Sequence, residues 1–126
     1  MPTCEPATIL VVEDDASMGQ AIARMLRVGG YWAILFDSAE AALDSDQTAL
    51  ADCLILDIQL PGMSGIEFLR DLVMGGQVTP AIFITAHDEP RIRIEAGKAG
   101  AKGYLTKPFA GRALLDAVRI LSLIHI

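Results

Sequence analysis

A chain of 126 residues, 52% hydrophobic and 21% charged, suits one packed domain with a real core. Its formal net charge of −6 argues against gripping nucleic acid directly, because phosphate neutralisation needs a basic face. No apolar run approaches the ~20 residues of a membrane span, and no basic stretch followed by an apolar one marks a secretion signal.

The elements alternate from the start. Residues 9–12 form an apolar run that reads as a first strand. Residues 17–28 carry helical spacing and stop at Gly29-Gly30, a natural C-terminal break. Residues 32–36 read as a second strand. Ser38 is a good N-cap for a short helix over 39–43. Residues 54–56 make a third strand ending at Asp57. A turn over 60–65 follows and closes on a new N-cap. Ile66, Leu69 and Val73, with Phe68 and Leu72 beside them, are expected to form the inward stripe of a third helix. Residues 81–84 read as a fourth strand. Asp88 is expected to cap a weaker fourth helix that tolerates Pro90 in its first turn, contains Gly97 and ends near Gly100. Residues 104–105 make a short fifth strand, and residues 113–121 a last helix. The tail over 120–126 is too apolar for an exposed terminus; either it extends the last helix against something or the chain is cut or altered near its end.

Five strand–helix alternations imply an α/β fold, a doubly wound parallel sheet with helices on both faces. One domain over 1–126, with a core from about 8 to 121, is expected. Of the two cysteines, Cys53 opens an apolar run and reads as a buried thiol, while Cys4 sits near the N-terminus. A disulfide is not expected, and a reducing cytoplasm follows.

In such sheets ligands sit beyond the carboxyl ends of the strands. The polar residues at those ends are Glu13-Asp14-Asp15, Asp57, Thr85 and Thr106-Lys107-Pro108. One rim therefore gathers several carboxylates, a hydroxyl and one ammonium. Carboxylates so close resist ionising together. A hard divalent cation with oxygen ligands resolves the conflict, and magnesium fits, with manganese as a substitute. Asp57 then has an oxygen free to attack phosphorus. Lys107 would neutralise the transferring group and Thr85 would donate to it. Singly, each residue has a plainer role: Asp57 as a turn former, Asp15 as a helix cap, Glu13 and Asp14 as solvated charges, Lys107 as a surface cation.

Four segments, residues 9–15 (ILVVEDD), 56–65 (LDIQLPGMSG), 84–87 (ITAH) and 104–109 (YLTKPF), closely resemble the receiver domain of two-component response regulators. The resemblance covers about residues 8–121, and its wording is closest to the FixJ-like group. It implies a flavodoxin-like five-stranded sheet of order 2-1-3-4-5 with five helices. It implies that Asp57 is phosphorylated, that Asp14 is a direct magnesium ligand and Glu13 a ligand through water, and that the backbone carbonyl of Gln59 is a further ligand. Thr85 and Lys107 match the family's hydroxyl and lysine, and the Lys107–Pro108 bond is expected to be cis. Thr85 and Tyr104 would form a hydroxyl–aromatic switch acting on the face of the fourth helix, fifth strand and fifth helix. Gln59 and His87, each two residues after a key position, would border the phosphoryl group and tune its lifetime.

The implied partners are a sensor histidine kinase or a histidine phosphotransfer protein, with a homodimer through the switch face as an option. A DNA-binding output domain, common in such regulators, is not among these 126 residues. The receiver would catalyse its own phosphorylation and hydrolysis rather than turn over outside substrates. A haloacid-dehalogenase-like aspartate phosphohydrolase is the alternative; it normally carries a second aspartate where Gln59 stands. A flavodoxin-type carrier would need a phosphate-cradling loop in place of Glu13-Asp14-Asp15.

Overall fold

Continuous apolar runs become the central strands. The computed structural model describes residues 7–124, with side chains as far as Leu121; Cys4 and residues 125–126 lie outside that range. In chain order it contains β1 (Thr8–Val12), α1 (Ala16–Val28), β2 (Trp32–Phe36), α2 (Ala39–Asp44), a short 3-10 turn (Thr48–Leu50), β3 (Cys53–Asp57), α3 (Gly65–Met74), β4 (Ala81–Thr85), α4 (Pro90–Ala99), β5 (Gly103–Thr106) and α5 (Gly111–Ile124). The five strands are parallel in the order β2-β1-β3-β4-β5, the doubly wound arrangement expected.

Alternate residues of each strand feed two cores. Leu10, Val12, Leu54, Leu56, Ala81 and Phe83 point to the face covered by α2, α3 and α4. Ile9, Val11, Cys53, Ile55, Ile82 and Ile84 point to the face covered by α1 and α5. β3 and β4 are buried along their whole length, as parallel strands covered on both faces must be. Each buried aliphatic side chain contributes roughly 1.5–3 kcal/mol. Helix α1 leads to one face and α2 to the other, so β1 and β3 flank the topological switch point, where a crevice opens at the strands' carboxyl ends.

The caps set where the helices start. Asp15 caps α1 by accepting from the Met18 N–H, and Ser38 caps α2 through Ala41. Ser64 and Glu67 form a reciprocal capping box on α3, satisfying two otherwise orphaned donors. Two expectations fail. Asp88 does not cap α4: Glu89 occupies the N-cap position without a side-chain bond, and Asp88 instead pairs with Arg93 at 3.1 Å. Val73 is not part of the inward stripe of α3; it is 50% exposed, while Ile66, Phe68, Leu69 and Leu72 are buried. Val73 shares the angular face of Ile66 and Leu69, but it sits in the last turn of α3, where that face borders an open groove lined by Leu69, Gln77, Val78 and Pro80. The helix over 113–121 is longer than expected at both ends, running from Gly111 through Ile124.

Candidate functional site

The sheet register assembles the rim. Val12 stands opposite Leu56, so Glu13 and Asp57 follow side by side. Asp57 stands opposite Ile84, and Thr85 opposite Thr106, which brings Thr85 and Lys107 to the same edge. The Lys107 backbone N–H donates to the Thr85 carbonyl at 2.7 Å. The Lys107–Pro108 bond is cis, as expected.

Lys107 bridges two carboxylates. Its Nζ donates to Glu13 Oε1 at 2.7 Å and to Asp57 Oδ2 at 3.0 Å. Glu13 and Asp57 are almost fully buried, at 2% and 3% exposure. Asp14 is exposed at the mouth, and one oxygen from each of Glu13, Asp14 and Asp57 lies within 4.8 Å of the others. Three carboxylates against one ammonium leave two negative charges in excess. Burial, then the neighbouring Asp57 carboxylate, pushes the Glu13 carboxyl above the usual carboxylate range against the pull of Lys107. Burial pulls the Lys107 ammonium down, but Glu13 and Asp57 outweigh it and hold it above its ordinary value. The ammonium therefore stays charged at neutral pH.

An all-oxygen, doubly negative cluster matches the charge and chemistry of a hard divalent cation, so these residues fit magnesium or manganese. Beside them an open cleft of about 410 Å³, lined by Glu13, Asp14, Ala16, Gln20, Phe36 and Asp37 among others, gives access from solvent.

The loop after β3 is tied to the end of β4 through Thr85. The Gln59 N–H donates to Asp57 Oδ1 at 3.1 Å. The Gln59 side chain accepts from the Thr85 hydroxyl at 2.7 Å. The His87 N–H donates to Thr85 Oγ1 at 3.0 Å, while the His87 side chain is exposed. Tyr104 stands apart on the α4 side, with the Arg93 guanidinium 4.6 Å from its ring centroid. Its hydroxyl is buried without a hydrogen-bond partner among the described residues. Burial, followed by the nearby Asp88, raises this phenol.

Two contributors were not visible in the sequence. Glu40 of α2 accepts from the Met63 N–H at 2.8 Å, tethering the same loop, and that bond holds its carboxyl below the ordinary value. Gly65 starts α3 directly against the Asp57 carbonyl, where a Cβ would collide with that oxygen. A glycine after an N-cap serine was the only hint of the second; a surface glutamate gives none of the first.

Residues 9–119 match the response regulator receiver domain family. Among curated relatives, Nodulation protein W of Bradyrhizobium diazoefficiens is 39% identical over 112 residues, covering 89% of this chain and 49% of that protein. The response regulator protein TodT of Pseudomonas putida is 35% identical over 113 residues, covering 90% of this chain and 50% of that one. The chain thus spans about half the length of these relatives. The solved receiver domain of the Francisella response regulator 1452 superposes with a TM-score of 0.89 at 30% identity, covering 95% of this chain and 99% of that one.

Proposed function

We propose that this chain, which belongs to the response regulator receiver domain family of two-component signalling, accepts a phosphoryl group on Asp57 in the presence of a divalent cation. The observation that carries the reading is the excess of two negative charges around Asp57, with one ammonium aimed at the same carboxylate.

Glu13, Asp14 and Asp57, with the backbone carbonyl of Gln59, would hold magnesium, which supplies positive charge beside the incoming phosphoryl oxygens. A carboxylate oxygen of Asp57 attacks the phosphorus of a phosphohistidine donor. The new O–P bond forms as the P–N bond breaks, and the imidazole nitrogen leaves with the electron pair and takes up a proton. Lys107 already contacts Asp57, so it neutralises charge on the arriving group without reorganising. Hydrolysis later adds water at phosphorus and returns the carboxylate. The exposed His87 and the Gln59 side chain flank that water's approach and set the lifetime. The donor is a sensor histidine kinase or a histidine phosphotransfer protein reaching the rim through the open cleft.

Phosphorylation adds charge and acceptor oxygens at the rim. Thr85 turns its hydroxyl toward them, and Tyr104, whose hydroxyl already lacks a partner among the described residues, moves into the vacated space. The surface of α4, β5 and α5 then changes its partners: a second copy of this chain, or an output domain of the kind that would account for the greater length of the relatives. A free, buried Cys53 suits a reducing cytoplasm. The test is borohydride reduction after incubation with acetyl phosphate and Mg²⁺, followed by tandem mass spectrometry. Reduction of the acyl phosphate at Asp57 alone supports the reading, and modification at any other carboxylate contradicts it.

A further inference from the structure

We propose that the Gln59 side chain is a latch that holds Thr85 in the resting position. It thereby sets how readily the domain switches, apart from any effect on phosphoryl lifetime. The inference rests on the phospho-acceptor reading above and deepens it.

A threonine hydroxyl has one proton to give. Here it goes to Gln59 Oε1 at 2.7 Å; the alternative acceptor, the His87 carbonyl, is farther at 3.2 Å. Thr85 is fully buried, so its hydroxyl has no water to fall back on, and losing a buried partner is costly. Any phosphoryl oxygen that recruits this hydroxyl must first break the bond to Gln59. The backbone does not share in the latch: the Gln59 N–H is engaged separately with Asp57 Oδ1. Removing the side-chain carboxamide therefore leaves the acid cluster in place. The Tyr104 hydroxyl, without a partner among the described residues, adds no such hold on the resting state, so the Gln59 bond is where this chain opposes the switch. Gln59 is thus a positioning residue acting through Thr85.

The experiment titrates beryllofluoride, a phosphoryl analogue that binds a carboxylate oxygen, into the wild type, Gln59→Met and Gln59→Leu with Mg²⁺, following Thr85 and Tyr104 by NMR. The latch predicts that both variants bind beryllofluoride roughly two- to fivefold more tightly than the wild type, the low end of a lost hydrogen bond because His87 offers a longer substitute. It also predicts that Tyr104 resonances of the unliganded variants move part of the way toward the liganded positions. Unchanged affinity with unmoved Tyr104 resonances, in a wild type that binds normally, overturns the latch alone. A wild type that does not bind beryllofluoride overturns the phospho-acceptor reading itself. As a check on the contact, Gln59→Met and Thr85→Val should be non-additive in thermal stability; additive effects also overturn the latch.

Discussion

Replacing Asp14 by Asn tests the electrostatics of the rim, because a gain of stability is expected from damaging a functional position. In the metal-free protein Asp14 faces Glu13 and Asp57, each with a ligand oxygen within 4.8 Å of its own. Two unit charges at that distance repel by about 0.9 kcal/mol in a water-like dielectric and about 3.5 kcal/mol at an effective dielectric of ~20. Asp14 is exposed, so the lower figure applies. Two repulsions less one attraction to Lys107 leave about 1 kcal/mol, or roughly 3–5 °C in Tm for a domain of this size. The assay is thermal unfolding in EDTA and in excess MgCl₂. In EDTA the variant should melt higher than the wild type. In magnesium the order should reverse, because the wild type gains about 2.7 kcal/mol at one hundred times its Kd while the variant gains little. A variant that melts lower in EDTA, or one that magnesium stabilises as much as the wild type, would refute the reasoning.

Glu13 carries a pH signature. Its carboxyl is raised in the folded state, so its contribution to stability is present below the ordinary carboxylate value and is lost as pH rises through the raised one; magnesium must displace that proton. Calorimetry in buffers of different ionisation enthalpy should therefore show proton release on Mg²⁺ binding and tighter binding as pH rises above the ordinary carboxylate value. Gly65→Ala would push a methyl into the Asp57 carbonyl oxygen, and should cost about 1–3 kcal/mol in urea unfolding and weaken Mg²⁺ binding with it. Burial pushes the Cys53 thiol up to about 12, so peptide mapping after treatment with a disulfide reagent at pH 8 should find Cys53 unlabelled until denaturant is added.

The parts of this protein that were legible in sequence are those with local causes. The buried strands announce themselves as unbroken aliphatic runs, and Ser38, Asp15 and Gly100 mark helix ends by their own chemistry. The acid cluster was legible for a topological reason: polar residues after apolar strands must share one rim once the sheet is parallel. Contacts made across that rim were not. Nothing in residues 59 and 85 taken singly says that a carboxamide and a hydroxyl 26 positions apart will meet, and nothing in Glu40 says that it will hold the Met63 amide. Asp88 failed as a cap because an arginine one helical turn on competes for the same carboxylate. Val73 failed as a core residue because apolar character allows burial without requiring it.

The most direct measurement is the intact mass of the protein after incubation with acetyl phosphate, with Mg²⁺ or with EDTA, beside the Asp57→Asn variant treated identically. A single added phosphoryl group is expected on the wild type, in magnesium only. An adduct that persists in EDTA or on the Asp57→Asn variant would contradict the phospho-acceptor role of this carboxylate, as would no adduct at all.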